Sequence, residues 1–240
     1  MHSVETITVD GSDMEVFLFR PEGQGPFPGL ILAQHLPVAH TGLENDPYTL
    51  ETGKRFAANG YLVAAPYLFH WWPRDLDMQA KREQSRDDWT VADLSAAYTL
   101  LCAQPDVDLA RTGIVGHCWG GRVAWLGACH LRGLAAAAIF YGGNIKTGRA
   151  AGNPAPIDLA ADITCPVAGF FGDDDENPSP ADVDDYSEAL TTAGVAHEFH
   201  RYAGAGHAFQ NFAAADRYRE LQSEDAWDKV LVFFRQHLNP

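Results

Sequence analysis

The segment at residues 116–120, with the sequence GHCWG, constrains the fold of this chain more than any other. A strand-like run precedes it at 112–115, and an apolar segment of helical character follows at 121–128. A strand that turns sharply into a helix holds its turn residue in strained backbone geometry, which flanking glycines permit by removing Cβ clashes. The pattern predicts a nucleophile elbow with Cys118 in the place that serine usually takes. The alternative for a free cysteine is a buried structural thiol.

Apolar, strand-like runs alternate with helix-like segments along the rest of the 240-residue chain. The predicted strands cover 4–9, 15–19, 28–34, 61–66, 112–115, 134–141, 167–171 and 196–202. The predicted helices cover 48–58, 91–101, 121–128, 180–193 and 227–238, and segments 68–88 and 142–163 are predicted to be irregular. This alternation predicts an α/β fold with a mostly parallel central sheet flanked by helices on both faces. The length fits a single domain over residues 1–240.

Charge and composition limit the partners of the chain. The formal net charge of −15 argues against nucleic acid and anionic membranes as partners. No apolar run approaches the roughly 18 residues of a membrane span, and the N-terminal residues lack a signal-peptide pattern, so a reducing cytoplasm is the expected location. The four cysteines form no C-x-x-C pair, so no metal or redox site is expected. Cys102, Cys129 and Cys165 lie in apolar settings and are predicted to be core residues.

A cysteine nucleophile needs a base, and the base needs an orienting acid. His207 lies in the glycine-flanked segment 204–209 (GAGHAF), directly after a predicted strand, which favours it as the base over the other histidines. Residues 170–178 (FFGDDDENP) end another strand with a block of carboxylates, of which Asp175 is favoured as the acid and Asp174 is the alternative. The order Cys118, Asp175, His207 is the nucleophile–acid–base order of α/β-hydrolases.

Over nearly its whole length the chain resembles the dienelactone hydrolase family of α/β-hydrolases. The residues that carry the resemblance are ILAQ at 31–34, REQ at 82–84, GHCWGG at 116–121, the acidic turn at 172–178 and AGHAF at 205–209. The resemblance implies an α/β-hydrolase fold and a catalytic triad of Cys118, Asp175 and His207. It also implies an oxyanion hole formed by the backbone N–H groups of Leu36 and Trp119, as acyl chemistry requires.

Two positions depart from the family pattern and bear on substrate binding. Members typically carry a glutamate after the early strand, where this chain has His35. His35 either contacts the substrate or the thiolate, or is a polar residue at the end of a strand. Arg82 matches one of two family arginines that bind lactone carboxylates, but Asn211 stands near the position of the second. The loss of that arginine weakens the case for a strongly anionic substrate.

Segment 68–88 holds further candidates for the mouth of the site. Arg74, and Arg86 from the same region, offer replacements for the missing arginine, although charges in such a segment more commonly face solvent. Trp71, Trp72 and Trp119 either line an apolar pocket or pack in the core. The residues predicted to bind substrate are His35, Arg82 and Trp72.

The residues and the resemblance together favour a hydrolase of small esters or lactones that uses the Cys118–His207–Asp175 triad and a thioester intermediate. This chemistry requires no cofactor or metal. Two alternatives stay open: a non-catalytic binding protein that keeps the hydrolase fold, and an acyltransferase with the same triad. The expected partner is a small-molecule ester or lactone, and the expected oligomeric state is a monomer or a weak homodimer.

Overall fold

An eight-stranded sheet forms the centre of the computed structural model, which describes residues 2–36 and 42–238. The strands are β1 (His2–Val9), β2 (Ser12–Phe19), β3 (Phe27–Ala33), β4 (Leu62–Pro66), β5 (Val107–His117), β6 (Ala136–Phe140), β7 (Val167–Gly172) and β8 (His197–Tyr202). Their order across the sheet is β1-β2-β4-β3-β5-β6-β7-β8. The β1–β2 and β2–β4 pairs are antiparallel, and every other pair is parallel. The predicted α/β-hydrolase fold is confirmed.

The described residues contain six α-helices. They are α1 (Pro47–Ala58), α2 (Met78–Gln84), α3 (Asp87–Cys102), α4 (Trp119–His130), α5 (Pro180–Thr192) and α6 (Glu220–Leu238). Of these, α1, α3, α4, α5 and α6 pack against the sheet. Gly113 of β5 faces Leu238 of α6, whereas the next residue, Ile114, faces Gly127 of α4. Because successive strand residues point to opposite faces of a sheet, α4 and α6 lie on opposite faces. In the described ranges no helix combines the length and apolar character needed to cross a membrane.

The central strands are buried on both faces, which explains their continuous apolar sequences. Every residue of β4, β6 and β7 is buried, as the prediction of a sheet covered by helices on both faces requires. In open α/β sheets, ligands bind outside the carboxyl ends of the parallel strands. The loops that follow β3, β5, β7 and β8 are therefore the ones in which functional side chains are expected.

The structure differs from the sequence-based element boundaries in several places; α6, for example, begins at Glu220 rather than 227. Segment 68–88, predicted to be irregular, contains α2, and segment 142–163 contains a 3-10 helix at Pro156–Asp162. Strand β5 begins at Val107 rather than 112, and its register with β3 shifts between Pro28 and Gly29. The early part of β5 is partly exposed and polar, so its sequence lacks the apolar run that marks the buried half.

Candidate active site

Cys118 occupies the sharp turn between β5 and α4. Its backbone has φ 59° and ψ −124°, a left-handed conformation that is strained for a residue with a side chain. A Cβ at Gly120 would lie 2.5 Å from the carbonyl oxygen of Ala33 and 2.6 Å from that of Gln34. Only glycine therefore lets the first turn of α4 approach the end of β3 this closely. The strand–turn–helix geometry is the one that the GHCWG sequence predicts.

His207 and Asp175 extend from Cys118 in one hydrogen-bonded chain. The Nε2 of His207 lies 3.0 Å from the Sγ of Cys118, and its Nδ1 lies 2.9 Å from Oδ2 of Asp175. Asp175 is buried, and its Oδ1 accepts a 2.8 Å hydrogen bond from the Asn177 amide. Asp174, the alternative acid, has an exposed side chain at the adjacent position. The turn after β7 thus aims Asp175, rather than Asp174, at the imidazole.

Two backbone N–H groups point at the sulfur. They belong to Trp119, the first residue of α4, and to Leu36, which follows β3. Both amides favour the thiolate form of Cys118 and act to lower its pKa. A pair of amides from these two loops is the arrangement that stabilises the oxyanion of acyl transfer in this fold.

The thiol and the imidazole shift each other's protonation equilibria. Burial acts to raise the pKa of the Cys118 thiol, but the hydrogen bond and charge of His207 and the two amides outweigh it, so the pKa falls below its ordinary value. Burial acts to lower the pKa of His207, yet the hydrogen bonds to Asp175 and Cys118 raise it to about 10. Each group therefore favours the charged form of the other, and their contact shifts the pair towards a thiolate beside an imidazolium.

A cavity of about 390 Å³ opens over the sulfur. Its described lining includes the predicted residues Cys118, His207, Leu36, Trp119 and Arg82. The other described lining residues are Met78, Arg122, Gly143, Asn144, Arg149, Asn177 and Arg217.

Trp72, predicted to bind substrate, is not among the described residues that line this cavity. Its ring packs against Phe69 and Trp89, and its indole N–H donates to Gln84 Oε1 at 3.1 Å. The expectation of substrate contact from Trp72 is therefore corrected to a packing role. Of the three tryptophans considered, Trp119 lines the cavity, and it stacks on Phe69.

His35 is buried beside the site and pairs with a carboxylate that the sequence did not connect to it. Its Nε2 lies 2.8 Å from Oδ2 of Asp46, which also accepts hydrogen bonds from the first amides of α1. His35 lines a second cavity of about 380 Å³, which shares Leu36, His207 and Arg217 with the first. The pair thus places the Asp46 carboxylate next to His35, at the end of β3. Family members typically carry a glutamate at the position of His35.

The arginines that line the cavity are not Arg74 and Arg86, which the sequence suggested as replacements for the family arginine absent at Asn211. Arg74 pairs with Glu15 and Glu44, and Arg86 pairs with Asp88, so both are engaged at the surface. The described lining instead contains the three other arginines Arg122, Arg149 and Arg217. Sequence reasoning missed Arg149 and Arg217 because they lie in loops, where no periodicity connects a side chain to a distant site.

The remaining cysteines differ from Cys118 in their surroundings. Cys129 and Cys165 are buried and Cys102 is half-buried, and all are free thiols. Burial raises the pKa of Cys129 to about 12 and that of Cys165 to about 11, and it also raises the pKa of Cys102. Among the residues that the structure describes, no group of three or more His, Cys, Asp or Glu side chains is arranged to hold a metal ion.

Comparison with known proteins identifies the family. The model of the dienelactone hydrolase family matches residues 14–238. A Methylorubrum extorquens protein assigned as a carboxymethylenebutenolidase is 31% identical over 230 residues, covering 90% of this chain and 75% of the relative. An Escherichia coli K12 protein with the same assignment is 30% identical, covering 97% of this chain and 86% of the relative.

A solved structure agrees with these sequence relatives. The crystal structure of a protein assigned as a dienelactone hydrolase from Klebsiella pneumoniae superposes with a TM-score of 0.86. It is 30% identical in sequence, and the match covers 98% of each chain. The chain is therefore a hydrolase that belongs to the dienelactone hydrolase family.

Proposed function

We propose that the protein hydrolyses a small carboxylic ester or lactone through a thioester on Cys118. The observation that carries the proposal is the unbroken hydrogen-bond chain from the Cys118 sulfur through His207 to Asp175. The names of the relatives, carboxymethylenebutenolidases, support a lactone or ester as the substrate class.

The acylation step begins with the Cys118 thiolate, whose sulfur attacks the substrate carbonyl carbon and forms the C–S bond. The carbonyl oxygen becomes an oxyanion that accepts hydrogen bonds from the amides of Leu36 and Trp119, each worth about 3–4 kcal/mol in related chemistry. The intermediate then collapses, the C–O bond to the leaving group breaks, and the Nε2–H of His207 protonates that oxygen. For a lactone, the leaving hydroxyl stays attached to the acyl group.

The deacylation step reverses these roles. His207, now neutral, takes a proton from water through Nε2, and the hydroxide attacks the thioester carbon. The C–S bond breaks, the acid is released, and the thiolate–imidazolium pair is restored. Asp175 accepts a hydrogen bond from Nδ1–H throughout, which keeps the imidazole in the orientation and tautomer that proton transfer requires.

The residues around the cavity contribute differently to substrate binding in this proposal. Arg82 of α2 lines the cavity and can contact an anionic substituent of the substrate. His35 lies behind Leu36 and acts through its pair with Asp46, which holds the end of β3 against the start of α1.

The test is hydrolysis of p-nitrophenyl hexanoate by the wild type and by Cys118→Ala. The variant should lose on the order of 10³-fold or more in kcat, because members of a triad act as a unit. Rapid-quench mass spectrometry of the wild type should show a hexanoyl adduct on Cys118. Cys102→Ala is the matched control and should keep wild-type activity, since that thiol lies outside the cavity. Unchanged turnover by Cys118→Ala would sink the proposal.

A further inference from the structure

The nucleophile and the base both lie at strained turns of the backbone. Cys118 has φ 59° at the end of β5, and Ala208, which directly follows His207, has φ 63°. Both values fall in the left-handed region that residues with a Cβ rarely adopt. Such conformations persist only where the surrounding contacts over-determine them. The contacts that hold the turn at 207–210 therefore determine where the imidazole of His207 lies.

The last residue of this turn, Gln210, anchors it through both ends of a buried side-chain amide. Its Nε2 donates to the carbonyl oxygen of Ser223 in α6 at 3.3 Å. Its Oε1 lies 3.0 Å from Nε2 of His117. Because the Ser223 carbonyl can only accept, the amide nitrogen faces α6 and the amide oxygen faces His117. The Nε2–H of His117 therefore donates to Gln210.

His117 is a buried histidine that the proposed mechanism does not use. It is the last residue of β5, directly before Cys118, and its ring stacks on Phe140 and meets Tyr48 edge-on. Burial lowers the pKa of His117 to about 3, so the ring is neutral and has a single N–H, which the contact with Gln210 takes up. The described linings of the two cavities beside His207 include neither His117 nor Gln210, so we expect neither to touch the substrate.

Two side-chain contacts thus join the elbow to the turn that carries the base. One is the contact between the Cys118 sulfur and Nε2 of His207, and the other is the hydrogen bond from His117 to Gln210. The first contact depends on the charge of the thiolate, and acylation removes that charge because a thioester sulfur is neutral and carries no proton. The second contact involves none of the reacting atoms, so acylation leaves it in place.

We propose that His117 is a positioning residue for deacylation, because its hydrogen bond to Gln210 holds the turn at 207–210 against the elbow while Cys118 is acylated. The inference rests on the proposed function, since it requires the thioester. Asp175 orients the imidazole through Nδ1, but it connects His207 to the turn after β7 and not to the elbow. In the free enzyme the thiolate itself holds Nε2 of His207. Loss of the His117 contact therefore slows deacylation more than acylation.

The test measures the two steps separately in the wild type and in His117→Phe, with p-nitrophenyl hexanoate as substrate. Pre-steady-state release of p-nitrophenol gives the acylation rate, and decay of the hexanoyl adduct on Cys118, followed by rapid-quench mass spectrometry, gives the deacylation rate. In His117→Phe deacylation should fall by about 10- to 100-fold, as for a misplaced catalytic group, while acylation stays close to the wild-type rate. The adduct should therefore accumulate in the variant. His117→Gln should recover part of the deacylation rate, because its amide keeps an N–H donor at a similar reach.

His197→Phe is the matched control, because it makes the same substitution at a half-buried histidine outside the described linings of both cavities. His197 pairs with Ser187 Oγ at 2.9 Å, between β8 and α5, and its loss should leave both steps unchanged. Gln210→Met breaks the same hydrogen bond from the side of the turn and should reproduce the slow deacylation. This variant decides the question if circular dichroism shows that His117→Phe does not fold.

The outcomes separate this inference from the proposed function. Equal slowing of acylation and deacylation in the folded variants would overturn the inference, because it would show a general loss of the site, and it would leave the proposed function intact. Wild-type deacylation in either folded variant would also overturn it. A wild type that turns the ester over without a hexanoyl adduct on Cys118 would contradict the proposed function, and the inference with it.

Discussion

Burial and hydrogen bonding act in opposite directions on the Cys118 thiol. A half-buried thiol without partners would hold its proton more tightly than one in water. Here the imidazole of His207 at 3.0 Å and two backbone amides favour the thiolate strongly enough to lower the pKa. The reactivity of the sulfur therefore depends on a few directed contacts, each of which can be removed singly.

Removal of the imidazole should reverse the shift of the thiol. In His207→Gln the burial of Cys118 remains but its principal hydrogen bond and neighbouring charge are lost, so the thiol pKa should rise above its ordinary value. The rate of iodoacetamide alkylation against pH, with the modified residue assigned by mass spectrometry, measures this shift. The other cysteines have raised pKa values and should react slowly in both proteins near neutral pH. The same midpoint in the variant and the wild type would contradict the coupling.

The pH dependence of ester hydrolysis should follow the same pair. On the acid side, kcat/KM should rise as Cys118 loses its proton, at a pH below the ordinary thiol pKa. On the alkaline side it should fall as the His207 imidazolium, with a pKa raised to about 10, loses the proton that it donates to the leaving group. A bell-shaped profile measured on p-nitrophenyl hexanoate checks both limbs. An alkaline limb near the ordinary histidine pKa would show that Asp175 and Cys118 do not hold the proton on His207.

The two neighbouring aspartates of the acidic turn should differ sharply in their effects. Asp175→Asn removes the carboxylate that orients Nδ1 of His207 and should lower kcat by about 10²- to 10⁴-fold, as for a triad acid. Asp174→Asn changes an exposed side chain and should keep activity within about twofold, as for surface substitutions. Steady-state kinetics on one ester measures both variants. Comparable losses in the two would show that the acidity of the turn as a whole, not one oriented carboxylate, supports catalysis.

At the scale of the elements, one carboxylate connects a strand end to a helix start. Asp46 caps α1 by accepting hydrogen bonds from the amides of Tyr48 and Thr49, and it also pairs with His35 beyond β3. Leu36, whose amide points at the Cys118 sulfur, directly follows His35 in the sequence. The start of α1 therefore helps to position one of the two N–H groups at the nucleophile.

Loss of the Asp46 cap should lower the free energy of unfolding by more than loss of an ordinary helix cap. Asp46→Ala removes the cap, worth about 1 kcal/mol, and leaves buried His35 without its partner, at about 1–3 kcal/mol more. Asp77→Ala removes the N-cap of α2, which is exposed and has no such partner, and should cost about 1 kcal/mol. Urea denaturation of both variants measures the free energies of unfolding. Equal losses would show that the His35–Asp46 pair adds nothing to the cap.

At the scale of the whole molecule, the wall of the cavity is fixed by one buried ion pair. Asp87 at the start of α3 binds Arg122 of α4 and accepts a hydrogen bond from the backbone amide of Arg149. Arg122 in turn binds the carbonyl oxygens of Asn144 and Thr147. The Asp87 carboxylate thus connects α3, α4 and the loop that contains Arg149. These three segments are far apart in the sequence but adjacent in space.

Breaking this ion pair should destabilise the entire fold. Asp87→Asn leaves the buried Arg122 guanidinium without a compensating charge, which typically costs about 3–5 kcal/mol. Asp106→Asn breaks a pair with Arg20 whose side chains are 29% and 38% exposed, and should cost no more than about 1 kcal/mol. Thermal and urea unfolding of the two variants provides the comparison. A loss near 1 kcal/mol for Asp87→Asn would show that Arg122 finds other compensation.

The sequence alone determined the order of the eight strands, five of the six described α-helices and the candidate chemistry. Buried strands appear as apolar runs, and the elbow requires glycines at fixed positions around Cys118, so both features are encoded in consecutive residues. The order of Cys118, Asp175 and His207 along the chain follows from the strands that they end. These features need only local periodicity and backbone sterics, and for that reason they could be predicted without coordinates.

Only the tertiary structure decided which side chains meet at the cleft. In the tertiary structure Asp175, rather than Asp174, contacts His207, and His35 pairs with Asp46. Trp72 packs against other aromatic rings, and Arg149 lies in the cavity wall. Each of these outcomes is a contact between segments that are distant in sequence, or a choice between adjacent residues on an irregular turn. No repeat or spacing encodes such contacts, because they depend on how the loops fold over the carboxyl ends of the strands.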